Sequence, residues 1–282
     1  MERATLSYVV LTTARNEETN IVQVIKAAKQ QTVKPKAHYL YDDMSTDHTA
    51  DIAEAYGCIV IRAKPRQRSP YSGVNQSHGF KTLVDSIQHS YTYILKLDAD
   101  SIMPPHYAET LLQAFSKNPT LGIAAGVGDL YTLRQGRITD GARMISRRCY
   151  TQIGGYRTVV GFDSLAVYTA RMHGYHCKTL RRLKYHETRE GRKRHPWDWV
   201  INGYERRNMH LGIMHTLMAA LKNIVSGSPK ILNAFLVMYG YFLYQAPSRD
   251  HGLDPEYMHR YGNYEVIQYI HEAITKINGG LK

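Results

Sequence analysis

Between Ser7 and Val127 short apolar runs alternate with helical patterns, and no other feature constrains the fold as strongly. Ser7–Thr13 (SYVVLTT) reads as a buried strand, and Glu17–Gln31 as a helix with Ile21, Val24, Ile25 and Ala28 on one face. Ala37–Asp42 is strand-like. Ser45-Thr46-Asp47 then offers short oxygen side chains to cap a helix reaching Tyr56. Cys58–Ala63 is a third strand, followed by a Pro/Arg/Ser-rich loop, Lys64–Gly73, and a helix from about Val74 to His89. Tyr93–Leu97 is again a strand, Pro104–Ser116 a helix with Pro near its start, and Leu121–Val127 another strand. Strand and helix at this spacing mean βαβ units, hence an α/β fold with a mostly parallel sheet flanked by helices.

Ligands of such sheets sit beyond the carboxyl ends of the strands. There the sequence places Thr13-Ala14-Arg15-Asn16-Glu17 after the first strand and Asp42-Asp43-Met44-Ser45-Thr46-Asp47 after the second. Asp98-Ala99-Asp100 follows the fourth. Taken singly, each has a plain reading: Asp43 and Asp47 as turn and cap residues, Asp98-Ala99-Asp100 as a common tripeptide. Taken together they bring carboxylates to one edge, where they repel unless a cation or hydrogen-bond donors lie among them.

The 282 residues suit one large domain or two small ones at about 100–200 residues each. With 43% apolar and 21% charged residues the chain is not disordered overall. Cys58, Cys149 and Cys177 are odd in number, far apart and in no CxxC pair. That argues against a disulfide framework or a cysteine zinc site, and suits a reducing compartment. The start, Met-Glu-Arg-Ala-Thr, runs straight into a strand and resembles no secretory signal, so the expected location is cytoplasmic. The net charge of +12 is uneven: residues 1–100 carry +1 and residues 101–282 carry +11. Lys178–Arg194 alone holds eight basic and two acidic side chains. Such a run is either a solvated surface or a face for a polyanion: ligand phosphates, an anionic membrane or nucleic acid.

TARNEETNIVQVIKAAKQQ, YLYDDMSTDHTADIAEAYG and YILKLDADSIMPPHYAETLL together resemble an inverting glycosyltransferase of family 2, with the GT-A fold. That family reads "P-x-x-N-E", "V-D-D-G-S-T-D-x-T" and "D-A-D"; here Thr13 replaces the proline and Met44 the glycine. Downstream, GGYRTVVGFDSLAVYTARMHGY resembles the block "GG-F … E-D … L-x-x-R-x-x-x-x-G", with Phe162-Asp163 where the family has Glu-Asp. The resemblance covers roughly residues 7–212. It implies a nucleotide-sugar-binding half at 1–100, an acceptor-binding and catalytic half at 101–212, and a helical extension at 213–282.

By the same resemblance, Thr13, Arg15, Glu17, Tyr41 and Asp43 cradle the base and ribose, and Asn75 stands near the donor. Asp98 would contact the ribose or sugar, with Ala99 beside it, and Asp100 the metal. The leaving nucleotide diphosphate develops negative charge, which a divalent cation or fixed donors must stabilise. Hard carboxylate oxygens on Asp98 and Asp100 suit Mg²⁺ or Mn²⁺. His186 is the expected third ligand, with an ordinary surface histidine as the alternative. Arg189–Arg194 either closes over the diphosphate or stays exposed. Inversion needs one base on the acceptor side. Asp163 fills that role, or caps the helix Ser164–His173, or does both; Asp129 and Asp140 are the next carboxylates.

The donor is expected to be a UDP-sugar, the family's commonest, with a GDP-sugar allowed; the acceptor is a saccharide or a lipid-linked group such as a polyprenyl phosphate. Met214–Leu221 and Ile231–Tyr244 are strongly apolar, but the uncharged window 231–248 falls short of the roughly 20 residues of a membrane span. These segments therefore pack on the core, form a homo-oligomer contact, or lie at the membrane interface. Two other classes compete. A sugar nucleotidyltransferase shares the sheet and the aspartates, but expects a Gly-rich, Arg-containing loop where TARNEE stands. A basic nucleic-acid-binding protein would fit the charge, yet no binding motif supports it and the first hundred residues are nearly neutral, so no nucleic-acid partner is expected.

Overall fold

A computed structural model describes residues 7–69, 71–130, 138–159, 161–188, 195–226, 230–244, 254–263, 266–267 and 270. The chain forms two compact units, Met1–Glu190 and Gly191–Lys282.

In the first unit, β1 (Tyr8–Ala14), β2 (His38–Asp42), β3 (Ile59–Arg62) and β4 (Tyr93–Leu97) pair in parallel in the order β3-β2-β1-β4. β2 and β4 are buried along their whole length, as continuous apolar runs in a sheet covered on both faces should be. Helix α1 (Ile21–Lys29) buries Ile21, Val24, Ile25 and Ala28, the stripe that its sequence spacing predicts. Helix α4 (Tyr107–Lys117) buries Tyr107, Leu111, Leu112 and Phe115 in a core with Tyr8, Val10, Leu95 and Leu97. Each such side chain contributes about 1.5–3 kcal/mol by leaving water. Helices α2 (Thr49–Ala55) and α3 (Ser72–Asp85) complete the βαβ alternation.

The sheet continues as β4-β7-β6-β8-β5. β6 (Leu121–Gly128) was expected; β7 (Ala142–Ser146) was not, and it runs antiparallel between β4 and β6. β8 (His176–Glu187) pairs in parallel with β6, with two register shifts, and is mostly exposed along its basic residues. The last residues of β8 also pair with the two-residue strand β5 (Ser101–Ile102), setting Ser101 opposite Glu187. Helices α5 (Arg147–Gln152) and α6 (Phe162–Met172) flank this half. The three cysteines are free, with Cys58 and Cys149 buried.

The second unit contains α7 (Pro196–Asn208), α8 (Ile213–Ser226) and α9 (Lys230–Phe242). A capping box between His195 and Asp198, with Pro at the first turn, starts α7. α7 and α9 cross at Gly203 and Gly240: a Cβ on Gly203 would overlap the Val237 carbonyl, and one on Gly240 the Val200 carbonyl. Arg207 donates to the Tyr241 and Tyr244 carbonyls at 3.1 and 2.8 Å, closing the end of that crossing. Ile213, Met214, Leu217 and Leu221 of α8, and Ile231, Phe235 and Phe242 of α9, keep exposed faces. Among the described residues no helix is long and apolar enough to cross a membrane.

Candidate active site

Strand order reverses beside β1, so the carboxyl ends of β1, β2 and β4 open on one crevice. Arg15 follows β1 half-buried, with Nη1 shielded from water and lacking a partner. Glu17 is buried; its amide donates to Thr49 Oγ1 at 2.7 Å and its Oε2 accepts from Asn20. Asn16, at φ 54°, accepts from the Thr46 amide through Oδ1 and so ties the first loop to the second. Met44 sits at φ 58°, which explains the family's glycine there: a left-handed backbone costs other residues about 1–2 kcal/mol. Asp47 accepts from the amide and hydroxyl of Thr49 at 3.0 and 2.6 Å, and these bonds hold its carboxyl below the usual range against the pull of desolvation.

Of the expected donor-side residues, Thr13 is half-buried and lies beside Tyr41 in the β1–β2 register. Tyr41 is buried, its ring edge-on to His78 of α3. Asp43 is held by two arginines from the loop after β3. Arg66 reaches Oδ1 at 2.7 Å, and Arg68 reaches Oδ2 through Nε at 2.8 Å. Asn75 anchors that loop, donating to the Ser69 carbonyl at 2.7 Å and accepting from Arg66 and the Ser69 amide, both at 3.1 Å. The structure thus joins Asp43 and Asn75 through Arg66, a link that spacing did not reveal.

At the end of β4, Asp98 meets an unexpected partner. Lys96 lies within the strand with its side chain fully buried, and its Nζ is 2.6 Å from Asp98 Oδ1 and 2.7 Å from Asp140 Oδ2. Burial alone would lower the lysine's pKa, but Asp140 and Asp98 raise it, so the ammonium is kept. Asp98 itself is pushed up to about 6 by burial and by Asp140 and Asp100, against the opposing pull of Lys96. Burial acts in the same direction on Asp140, yet Arg143 and Lys96 hold it below the ordinary range. Ala99 is buried between the two aspartates.

Facing this end is β8, whose successive side chains point to opposite sides. His186 is exposed and pairs through Nδ1 with Asp129 Oδ2 at 2.6 Å. Glu187 is the residue that feels the charges of Asp100 and Asp98. Burial and then Asp100, Asp98 and Asp129 push it up to about 7, with His186 pulling weakly the other way. Its Oε2 is shielded from water without a partner. A Cβ on Gly128 would overlap that oxygen, so the glycine makes room for the carboxyl. Among the described residues no three His, Cys, Asp or Glu side chains are already gathered as a metal cage. The surplus of carboxylate oxygen, with one orphaned oxygen and two raised carboxyl groups, nevertheless fits a hard divalent cation.

This crowding has a measurable consequence. Glu187 titrates near 4.5 when unfolded and near 7 when folded, so the fold binds its proton more tightly and loses stability as pH rises across that interval. Glu187→Gln removes the loss. Because the carboxyl is partly solvated, its melting temperature should exceed the wild type's by only about 2–4 °C at pH 8, with no gain near pH 4. An equal gain at both pH values would show that the carboxylates do not repel one another.

Asp163 occupies the second position of α6, not its cap: the N-cap is Gly161, at φ 73°, with no side-chain cap bond. The Asp163 carbonyl accepts from Arg143 Nη1 at 2.9 Å. Arg189–Arg194 lies outside the described residues.

Comparison with known proteins agrees with this arrangement. The profile of glycosyl transferase family 2 matches residues 9–184. No curated protein matches the chain. Among solved structures, it is similar to mannosyltransferase PcManGT from Pyrobaculum calidifontis, in complex with GDP-Man and Mn²⁺, at 20% identity and a TM-score of 0.53, covering 84% of this chain and 70% of that one. It is also similar to S. aureus TarS 1-349 in complex with UDP-GlcNAc, at 15% identity and a TM-score of 0.54, covering 83% and 71%. A third similar structure is M. tuberculosis glucosyl-3-phosphoglycerate synthase, at 18% identity and a TM-score of 0.50, covering 68% and 74%. These likenesses establish a shared architecture, and the profile spans more than half of the sequence: the chain belongs to glycosyl transferase family 2 and is a glycosyltransferase of the GT-A fold.

Proposed function

We propose that the protein is a metal-assisted, inverting transferase that moves a sugar from a nucleotide diphosphate donor to an acceptor hydroxyl or phosphate. The observation that carries this reading is the convergence of Asp98, Asp100 and Glu187 beyond the end of β4, where crowding and burial raise the carboxyls of Asp98 and Glu187. Asp100, Asp98 and Glu187 would hold Mn²⁺ or Mg²⁺ between them; His186, the expected third ligand, pairs with Asp129 through Nδ1 and would offer Nε2 to the ion, with Asp129 orienting the ring. The ion, when bound, supplies neutralising charge for the departing diphosphate. Arg15, with its buried N–H free, gives a second positive contact on the same side. Asp163, in the first turn of α6, takes the proton from the acceptor as general base.

A UDP-sugar is the favoured donor from the family's usage, and a GDP-sugar the alternative; the complexes of PcManGT with GDP-Man and of TarS with UDP-GlcNAc support keeping both bases in the test. The acceptor we favour is a saccharide or a lipid-linked group. The exposed apolar faces of α8 and α9 are where self-association or peripheral contact with a membrane would form. Thermal shift with UDP, GDP and single-stranded DNA, each with and without Mn²⁺, tests the class. Metal-dependent stabilisation by one nucleoside diphosphate is expected. Stabilisation by DNA alone would overturn the proposal.

A further inference from the structure

Lys96 is an ionisable residue in the middle of a buried strand, and such a group persists only when it is paired. Its partners extend further than Asp98. Asp140 accepts Lys96 on Oδ2 at 2.7 Å, and its backbone carbonyl accepts the same ammonium at 2.9 Å. On its other oxygen Asp140 pairs with Arg143 Nη1 at 3.0 Å, a contact of charges without hydrogen-bond alignment. Arg143 is buried in its turn and donates to three carbonyls: Thr139 at 3.1 Å, Ile138 at 3.0 Å and Asp163 at 2.9 Å. Two cations and two carboxylates therefore run in series from the Asp98 carboxylate to the backbone of Asp163. β4 and the neighbouring antiparallel strand β7 carry the two cations: Lys96 stands opposite Arg143 in their register, with Asp98 just after β4 and Asp140 just before β7.

We propose that Lys96, Asp140 and Arg143 are positioning residues that set the donor-side carboxylate of Asp98 and the acceptor-side first turn of α6 in one rigid frame. This rests on the roles proposed above for Asp98 and Asp163. Reacting groups gain rate when their geometry is fixed before substrate arrives, and misplacement of a fraction of an ångström is felt in turnover more than in affinity. A buried chain of alternating charge suits that task because each member is held from two sides. Lys96 also stands over the Phe80 ring at 5.0 Å, which fixes the ammonium on a further side. The arrangement places a counter-charge beneath Asp98, at the end of β4.

Conservative variants separate positioning from mere support. Lys96→Arg and Arg143→Lys keep the charge but change the reach, and Asp140→Asn keeps the shape but drops the charge. Each is assayed with a panel of UDP- and GDP-sugars for turnover, and by thermal shift with UDP and GDP plus Mn²⁺ for nucleotide binding. The expected result is a fall in kcat of tenfold or more, with donor KM within about threefold and the metal-dependent nucleotide shift retained. Lys96→Arg combined with Arg143→Lys should lose little more than the worse single variant, because both act through Asp140. Variants whose kcat stays within twofold of the wild type, with only melting temperature lowered, overturn the proposal. If either charge-preserving variant does not fold, Asp140→Asn decides on the same readout. A wild type that turns over no nucleotide sugar contradicts the functional reading itself, a result distinct from active variants.

Discussion

Replacing Asp163 by Asn is expected to cut transfer by about 10²–10⁴ while leaving donor affinity and melting temperature close to the wild type. The sequence leaves two roles open for this residue, base and helix cap. The N-cap is Gly161, and Asp163 stands inside the first turn of the helix. What remains for stability is the favourable placement of a carboxylate in the first turn of α6, worth about 0.3–1 kcal/mol. Asn keeps the shape and loses that, the attraction of the carboxylate for the buried Arg143, and the ability to take a proton. Arg143 holds the backbone carbonyl of residue 163, a contact the substitution does not touch. Steady-state turnover, donor affinity and a melting curve on this one variant check the expectation. Transfer within a few-fold of the wild type would sink the base assignment and direct attention to Asp129. Asp140, the other candidate from sequence, is committed to Lys96 and Arg143.

Asp100→Ala is expected to abolish the metal-dependent part of nucleoside diphosphate binding without harming the fold. Asp100 is the largest charged contributor to the raised carboxyl of Glu187 and one contributor to that of Asp98. Removing it relieves repulsion, so the metal-free variant should melt at or slightly above the wild-type temperature at pH 8. Its backbone contact, the Asp100 carbonyl accepting the Thr188 amide at 2.9 Å, is independent of the side chain. Titration calorimetry with UDP and GDP in the presence and absence of Mn²⁺ reads the first effect, and a melting curve the second. Undiminished metal dependence would show that Asp100 is not a ligand.

The parallel half of the sheet was legible because its strands are continuous apolar runs: Tyr93–Leu97 matches β4 at both ends, and the others agree within one or two residues. β7 escaped notice because Arg143 interrupts its apolar pattern, and only burial by Asp140 and three carbonyls makes an arginine acceptable there. β8 reads as a basic run because its lysines and arginines are exposed, and basic side chains on an exposed strand carry no apolar signal. The second helix begins at Thr49, after the Ser45-Thr46-Asp47 segment, with Asp47 accepting from the Thr49 amide while Asn16 ties the same segment to the first loop.

At the site, the strand-end clusters were legible from position alone, because a doubly wound sheet sends all its carboxyl ends to one crevice. Their partners were not. Arg66 and Arg68 reach Asp43 from a loop whose path no periodicity predicts. Glu187 faces Asp100 through a pairing of β5 with β8 that links residues far apart in the chain. Lys96 did leave a trace: a lysine among five buried strand positions demands a partner, and the DAD sequence begins two residues later.

The most direct test of metal-assisted transfer from a nucleotide sugar is release of nucleoside diphosphate from a panel of UDP- and GDP-sugars, UDP-GlcNAc and GDP-Man among them, with Mn²⁺ and after chelation. Donors of one base should be consumed in the presence of the ion, consumption should stop on chelation, and Asp100→Ala should match the chelated enzyme. Consumption that survives both chelation and Asp100→Ala, or no consumption of any nucleotide sugar with the ion present, would contradict it.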